Sequence, residues 1–251
     1  MKNEIPKIIH YCWFGGNPLP ELALKCIESW KKFLPEYEII EWNEKNFDIN
    51  SCPYVKEAYD AKKFAFVSDY VRLYALCNFG GIYMDTDVEV IKNLDFFLKY
   101  QAFSGFESRT RIPTGIMACE KGFLMFKELL EDYDGRHFVD LNGIQDHTTN
   151  VATITRLLSK KGFLPNNKFQ VINGFALFPN EYFCPKNIDT GEIKITDNTY
   201  TIHHFSYSWA DEHSKKVRDR KRKIFKIFPS FCAQTVFNFY NHICLFFERM
   251  K

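Results

Sequence analysis

The fold is decided by the stretch Ser68-Asp-Tyr-Val-Arg-Leu-Tyr-Ala-Leu-Cys-Asn-Phe-Gly-Gly-Ile-Tyr-Met-Asp-Thr-Asp-Val-Glu-Val90. Its first half belongs to a helical region that starts near Tyr54, breaks near Lys63 and stops at Gly80-Gly81, a typical helix end. Two short strands, 82–84 and 88–91, are predicted next. They flank Asp85-Thr86-Asp87, so we expect this acidic motif at a strand end or turn.

The regions on either side alternate between strand and helix patterns. Residues 7–14 are rich in β-branched and aromatic residues and predict a buried strand, residues 19–34 have helical spacing, and residues 37–42 predict a second strand. Strands at 102–106, 115–118 and 200–205 and helices at 122–133 and 148–161 continue the alternation. The sequence therefore predicts an α/β fold with one open mixed sheet and helices on both faces.

Composition favours one globular domain with a small appendage. At 251 residues the chain is long enough for a substantial core, and an aromatic content of 17% argues against disorder. The eight cysteines are scattered without a Cys-x-x-Cys pair, so we expect reduced core thiols. The sequence shows no signal-peptide core and no uncharged run of membrane-spanning length, which predicts a cytoplasmic location.

Charge is distributed unevenly along the chain. Residues 215–251 carry ten Lys/Arg and two Asp/Glu, whereas residues 1–214 carry 23 basic and 29 acidic residues, a net charge of −6. An acidic body is a poor nucleic-acid binder, so no nucleic-acid partner is expected. We predict a catalytic domain at 1–212 and a basic, aromatic helical tail at 213–251.

Two interpretations of the tail are open. Seven of the nine residues 215–223 are basic, and apolar residues then recur at roughly helical intervals from Ile224 to Phe246, interrupted by Pro229. The tail is either a terminal helix packed on the body or a peripheral anchor on an anionic membrane surface, at the inner face of the cell membrane.

Asp85 and Asp87 are the first candidates for chemistry. A turn at a strand end brings both carboxylates toward one point, where they can share a hard divalent cation. Mg²⁺ and Mn²⁺ are typically held by one or two carboxylates together with substrate phosphate oxygens. An isolated Asp-x-Asp also fits a solvated turn, so the surrounding residues decide between the two interpretations.

The whole segment 68–90 resembles the sugar-transferase family that contains yeast-type initiating α-1,6-mannosyltransferases and bacterial capsule and lipopolysaccharide enzymes. A looser similarity extends to residues 5–16 and 203–209. The resemblance implies a GT-A-type nucleotide-diphosphosugar transferase fold and retention of anomeric configuration. It also implies a Mn²⁺ or Mg²⁺ ion that bridges the protein and the donor diphosphate.

The same resemblance implies roles for five residues around the motif. Asp87 is expected as the principal metal ligand, and Asp85 as a contact to the donor ribose or sugar that reaches the metal through water. Asp69 and Arg72, three apart on one helical face, are expected to hold sugar hydroxyls and the diphosphate. Tyr83 is expected beside the nucleotide. The alternatives are an intrahelical Asp69–Arg72 ion pair and core packing of Tyr83.

Trp13 and Phe14 end the first predicted strand, where ligands bind in open α/β sheets. They are candidates for stacking on the nucleotide base, and the alternative is a buried tryptophan. His203 and His204 point to opposite faces of a short strand, so one of them is expected to enter the pocket. We choose His204 as the metal ligand, while the spacing leaves His203 open.

Three further donor-binding candidates follow from the resemblance. Ser208 and Trp209 belong to a carboxy-terminal element expected to close over the donor, with Ser206 as the alternative to Ser208. Asn150 lies in a stretch that, in bacterial members of the family, approaches the donor sugar or acceptor. The alternative for that stretch is a helix N-cap at Asp146 or Thr148.

These expectations describe a nucleotide-sugar-dependent hexosyltransferase. Its partners are a nucleotide-diphosphate sugar donor and a saccharide or lipid-linked saccharide acceptor, in bacterial surface polysaccharide synthesis. Retention leaves open a same-face displacement or a covalent carboxylate intermediate, and no residue is marked as a nucleophile. Two alternatives are a protein-glycosylating effector and a non-catalytic module that binds a metal-linked saccharide.

Overall fold

The computed structural model describes residues 4–108, 110–112, 114–207, 212–228 and 230–249. Within these ranges the strands are β1 (Ile8–Cys12), β2 (Glu38–Trp42), β3 (Gly81–Met84), β4 (Val88–Val90), β5 (Ala102–Gly105), β6 (Ile116–Cys119), β7 (Gln170–Ile172), β8 (Phe175–Phe178) and β9 (Thr201–His203). The α-helices are α1 (Glu21–Phe33), α2 (Pro53–Asp60), α3 (Phe64–Phe79), α4 (Leu124–Glu131), α5 (Asn150–Lys160), α6 (Asn180–Phe183), α7 (Glu212–Ile227) and α8 (Ser230–Arg249).

Seven strands form one mixed sheet in the order β2-β1-β3-β6-β5-β8-β7. Strands β2, β1 and β3 are parallel, β6 is antiparallel to both β3 and β5, β8 is parallel to β5, and β7 closes the edge antiparallel to β8. This confirms the predicted open mixed sheet with flanking helices, as expected of a GT-A-type fold. Because β1 and β3 are parallel, both end at the same edge of the sheet.

The sheet separates two hydrophobic cores. Alternation along β3 sends Ile82 and Met84 to the core that contains Trp30 of α1, and sends Tyr83 to the core that contains Leu76 of α3. All of these side chains are nearly or fully buried. The alternation therefore places Tyr83 on the face of the sheet that α3 covers.

The predicted helix break and helix stop are both present. Helix α2 ends at Asp60 and α3 begins at Phe64, which brackets the break expected near Lys63. Helix α3 ends at Phe79, and Gly80 follows with φ of +69°, a conformation that favours glycine. Strands β7 and β8 and helix α6 were not predicted.

A second, two-stranded sheet pairs β4 with β9 in antiparallel register. Helix α1 holds β4 in place, because Trp30 Nε1 donates to the carbonyl of Val88 and Val90 N donates to Ser29 Oγ, at 2.7 and 2.9 Å. The pairing of β4 with β9 carries His203 to the end of the acidic motif.

The chain divides into two compact units. One comprises Met1–Pro185 and Ile195–His204 and contains both sheets; the other comprises Lys186–Lys194 and Phe205–Lys251. In the second unit the predicted helical tail forms α7 and α8, on either side of position 229, and Pro229 itself lies outside the described residues. Lys221 Nζ of α7 pairs with Asp189 at 2.7 Å. Among the described helices, none is both long and apolar enough to cross a membrane.

Candidate metal and donor site

The acidic motif forms a tight turn between β3 and β4, as predicted. Asp85 N donates to the carbonyl of Gly115 at 2.8 Å, and Val88 N donates back to the carbonyl of Asp85 at 3.0 Å. The Asp85 side chain is 28% exposed and that of Asp87 is 12% exposed. Both carboxylates therefore lie at the rim of the sheet, where a ligand can reach them.

Strand β9 adds an imidazole to the two carboxylates. His203 is the register partner of Val88, the residue directly after Asp87. Its Nε2 atom lies 3.3 Å from Asp87 Oδ1 and 3.9 Å from Asp85 Oδ2. One ligand atom from each of the three residues lies within 4.8 Å of the others. The three side chains therefore converge on one point.

The structure places His203, and not the expected His204, in this group. Glu89 lies opposite Ile202 in the β4–β9 pair, so Glu89, Ile202 and His204 share one face of the small sheet. His204 Nε2 is 2.8 Å from Glu89 Oε2 on that face. The choice of His204 as metal ligand is therefore replaced by His203, the alternative that strand alternation had left open.

The electrostatics of His203 are set by its acidic neighbour. Burial alone lowers the pKa of His203, but the charge and hydrogen bond of Asp87 outweigh it and hold the pKa well above its usual value. A divalent cation would compete with this proton for the imidazole nitrogen, as metal ions do at histidine ligands.

The donor set fits a divalent cation. Carboxylate oxygens suit both Mg²⁺ and Mn²⁺, whereas an imidazole nitrogen is acceptable to Mn²⁺ and foreign to the usual all-oxygen Mg²⁺ site. Asp85, Asp87 and His203 could together hold a divalent cation.

Arg72 is buried behind the motif and makes four polar contacts. Its Nη2 atom lies 3.1 Å from Asp69 Oδ1 and 3.4 Å from Asp85 Oδ1. Nη1 donates to the carbonyl of Thr114 at 2.7 Å, and Nε donates to the carbonyl of Ser68 at 3.2 Å. The Asp69–Arg72 ion pair, given above as the alternative to donor binding, is present, and the guanidinium also contacts Asp85.

Tyr83 completes the support of Asp85. The Arg72 guanidinium lies over the Tyr83 ring, 4.6 Å from its centroid, and the Tyr83 hydroxyl donates to Asp85 Oδ1 at 3.0 Å. Tyr83 is only 2% exposed. Its position is that of a core residue which orients Asp85, so the packing alternative describes it better than contact with the nucleotide.

Asp69 and Asn150 are bound to each other. Asn150 N donates to Asp69 Oδ2 at 3.2 Å, and Asn150 Nδ2 donates to the Asp69 carbonyl at 2.5 Å. The Tyr133 hydroxyl donates to Asn150 Oδ1 at 2.7 Å. Burial raises the pKa of Asp69, while Arg72 opposes this shift. The Asp69 carboxylate thus receives a backbone N–H from the first turn of α5.

The alternative for the stretch before α5, a helix N-cap at Asp146 or Thr148, named the wrong residue. The N-cap is Thr149, without a side-chain capping bond, instead of Asp146 or Thr148. Asp146 accepts from Thr148 N at 2.9 Å and pairs with Arg136 at 2.7 Å. Asp69, from α3, supplies the N-terminal acceptor that the local sequence does not.

The two aromatic residues after β1 differ in environment. Phe14 is 5% exposed and packs edge-on against Phe47, so it belongs to the core. Trp13 is half-buried, and its Nε1 donates to the carbonyl of Asn17 at 2.6 Å. Trp13 therefore remains the candidate for stacking at the sheet edge that carries Asp85.

Glu107 was not predicted from the sequence, and Thr114-Gly115 was predicted only as a loop near the acceptor, with an ordinary turn as the alternative. Thr114 and Gly115 supply the carbonyls that bind Arg72 and Asp85. Glu107 follows β5; burial raises its pKa, His203 and Arg111 oppose the shift, and Asp85 reinforces it. The sheet order brings these residues beside the motif, and local spacing carries no signal for that. The predicted Ser208 and Trp209 lie outside the described residues.

Comparison with known proteins supports the predicted family. Residues 20–104 match the family described as "Glycosyltransferase sugar-binding region containing DXD motif". Inositol phosphoceramide mannosyltransferase 3 of Schizosaccharomyces pombe is 33% identical over 122 residues, which are 47% of this chain and 34% of that protein. An uncharacterized glycosyltransferase, L373, of Acanthamoeba polyphaga mimivirus is 27% identical over 82% of this chain and 84% of its own.

Solved glycosyltransferase structures also match. One, involved in glycosylation of the major capsid of PBCV-1, covers 84% of this chain and 100% of its own at 15% identity and a TM-score of 0.48. The galactosyltransferase LgtC covers 90% of this chain and 98% of its own at 14% identity and a TM-score of 0.41. The chain spans only 29–39% of the fungal relatives it matches.

Proposed function

We propose that the chain is a metal-dependent glycosyltransferase. The match of residues 20–104 to the family of DXD-containing glycosyltransferase sugar-binding regions supports this proposal. It transfers a hexose from a nucleotide-diphosphate sugar to a saccharide acceptor. The observation that carries the proposal is the convergence of Asp85, Asp87 and His203 within 4.8 Å at one edge of the sheet.

The protein's own residues divide into ligands and supports. Asp87, Asp85 and His203 hold the cation, which when bound supplies positive charge to the donor diphosphate. Arg72 and Tyr83 fix Asp85 Oδ1 in place, so Asp85 meets the donor preorganised. Because its four polar contacts lie within the protein, Arg72 acts on the donor through Asp85 in this proposal, and not as the direct diphosphate contact predicted from the sequence.

The base of the donor is proposed to stack near Trp13. Strands β1 and β3 are parallel neighbours, so Trp13 and Asp85 lie beyond strand ends at the same edge of the sheet. The half-buried indole has its N–H bonded to the Asn17 carbonyl, which fixes the ring. A fixed aromatic face beside a metal site suits a nucleotide whose diphosphate binds the metal.

Retention of configuration and the acceptor class are parts of the same proposal. Retention rests on the family resemblance, and both same-face displacement and a covalent intermediate are consistent with it. A lipid-linked acceptor is supported by the names of the fungal relatives, which are mannosyltransferases of inositol phosphoceramide. The role in bacterial surface polysaccharide synthesis at the inner membrane face rests on the sequence resemblance and the basic tail.

The experiment is a screen of UDP- and GDP-sugars with Mn²⁺, with and without saccharide acceptors, scored by released nucleotide and by mass analysis of products. Glycosylated acceptor with one donor, lost on addition of EDTA and restored by Mn²⁺, is the expected result. Donor binding without turnover on any acceptor would instead support the non-catalytic module and overturn the proposal.

A further inference from the structure

Gly115 lies directly against the imidazole of His203. A Cβ atom at Gly115 would lie 2.6 Å from His203 Cε1 and 2.7 Å from Nδ1, closer than real Cβ atoms approach such neighbours. Unlike Gly80, whose φ is +69°, Gly115 does not have a left-handed backbone conformation. The need for glycine at this position is therefore steric, and its cause is the histidine ring.

The same residue also fixes the acidic motif. The Gly115 carbonyl accepts the backbone N–H of Asp85 at 2.8 Å, at the point where β3 ends and the turn begins. Gly115 thus touches two of the three ligand residues, one through its carbonyl and the other through its missing side chain. It immediately precedes β6, which pairs with β3, so the sheet sets its position.

The imidazole has little room to move away from Gly115. The His203 side chain is 10% exposed, and the fully buried Cys184, directly after α6, is one of the residues that influence its pKa. Thr201 Oγ1 donates to the carbonyl of Phe183 at 2.9 Å and ties β9 to the segment that carries Cys184. A methyl group at Gly115 therefore conflicts with an imidazole that is largely buried.

We propose that Gly115 is a positioning residue that seats the imidazole of His203 on the cation site formed with Asp85 and Asp87. The inference rests on the proposed function, because it assigns Gly115 to the metal site of that function. It predicts that the smallest possible side chain at position 115 weakens metal binding, although Gly115 offers no side-chain ligand of its own.

The test measures Mn²⁺ affinity by titration calorimetry and stability by thermal unfolding without metal. Gly115→Ala is expected to weaken Mn²⁺ binding by about 10-fold or more, as losses of groups that orient metal ligands do. It should also lower the melting temperature. In a His203→Ala background the added methyl group fits the space that the imidazole has left. Gly115→Ala should then change neither the Mn²⁺ affinity nor the melting temperature any further.

Gly174→Ala is the control. Gly174 precedes β8 at the opposite edge of the sheet from Gly115, its φ is +85°, and its Cβ would conflict with the Gln101 side chain, so the variant should lower stability and leave Mn²⁺ affinity unchanged. Unchanged Mn²⁺ affinity in Gly115→Ala, or an equal loss of stability with and without His203, would overturn the inference. The stability cycle needs neither metal nor donor, so it tests the contact between Gly115 and His203 separately; failure of the wild type to bind Mn²⁺ would overturn the proposed function and with it the metal-site role of Gly115.

Discussion

Arg72 Nη2 lies 3.4 Å from Asp85 Oδ1, so a buried cation from helix α3 holds one of the two acidic residues of the motif. The Arg72 side chain is 6% exposed and the Asp69 side chain 9%, and the same nitrogen pairs with Asp69 at 3.1 Å. The charge of Arg72 thereby links the helix to the turn that carries the proposed metal ligands.

Removal of this cation should destabilise the fold. Arg72→Ala leaves the buried Asp69 without its counter-charge, and breaking a buried pair in this way costs about 3–5 kcal/mol. Arg72→Lys keeps the charge but lacks the planar guanidinium that contacts Asp69, Asp85 and Thr114, so it should restore stability only partly. Urea unfolding measures both. Arg156→Ala, an exposed arginine paired with Asp132 at 3.6 Å, is the control and should cost little.

Asp87 should be the most sensitive position for metal binding. Asp87→Asn keeps the shape of the side chain but removes a charge that offsets the cation, so Mn²⁺ affinity and turnover should both fall by orders of magnitude. Glu89→Gln is the matched control, because Glu89 is a nearby carboxylate bound to His204 and absent from the three-ligand group. Normal turnover and Mn²⁺ binding in folded Asp87→Asn protein would refute the central assignment.

Asn150 should affect stability more than donor binding. Asn150→Ala removes the bonds to the Asp69 carbonyl and the Tyr133 hydroxyl and leaves both groups buried, at a cost of about 1–3 kcal/mol. Thermal unfolding and donor KM, measured on the same protein, separate the two roles. A raised KM with an unchanged melting temperature would restore the donor-binding role predicted from the resemblance.

Trp13 offers a test of the proposed nucleotide platform. Trp13→Ala should weaken nucleotide binding with a modest loss of stability, because the indole is only half-buried. Phe126→Ala is the control: Phe126 of α4 is fully buried, packs on Phe123 and Phe175, and its truncation should cost about 3–5 kcal/mol with no direct effect on the nucleotide site. A large fall in the melting temperature of Trp13→Ala, with unchanged nucleotide affinity, would assign Trp13 to the core.

The sequence predicted those parts of the site that lie close together along the chain. The helix stop at Gly80-Gly81, the strand at 82–84 and the turn at Asp85–Asp87 follow from glycine conformation and from the two-residue period of strands. The three-residue spacing of Asp69 and Arg72 on one helix face gave their ion pair as the alternative to donor binding, and this pair is present.

The remaining parts depend on pairing between distant strands. Gly115 meets the motif because β6 lies beside β3, and His203 meets it because β9 pairs with β4, a separation of more than a hundred residues. Periodicity showed that His203 and His204 face opposite ways, but only the β4–β9 register decides which of them faces Asp87. The preference for His204 failed at this step.

The helical tail supports a last prediction, binding to an anionic membrane surface. Within the compact unit that contains α7 and α8, Ile227, Phe239 and Tyr240 are 75%, 71% and 49% exposed, and the basic side chains of Lys223 and Lys226 are exposed as well. Exposed apolar side chains together with lysines suit the surface of an anionic bilayer, which contributes about 1 kcal/mol per nearby Lys or Arg.

Charge reversal tests this membrane prediction more cleanly than truncation after residue 211, because Lys221 and Arg222 of α7 bind Asp189 and the carbonyl of Ile188. The full-length protein should sediment with vesicles rich in phosphatidylserine and not with neutral vesicles, and high salt should release it. Lys223→Glu with Lys226→Glu should abolish sedimentation. The same change of charge at exposed Lys45 and Lys121 should not. Equal sedimentation of the two double variants would mean that the tail is an ordinary pair of packed helices.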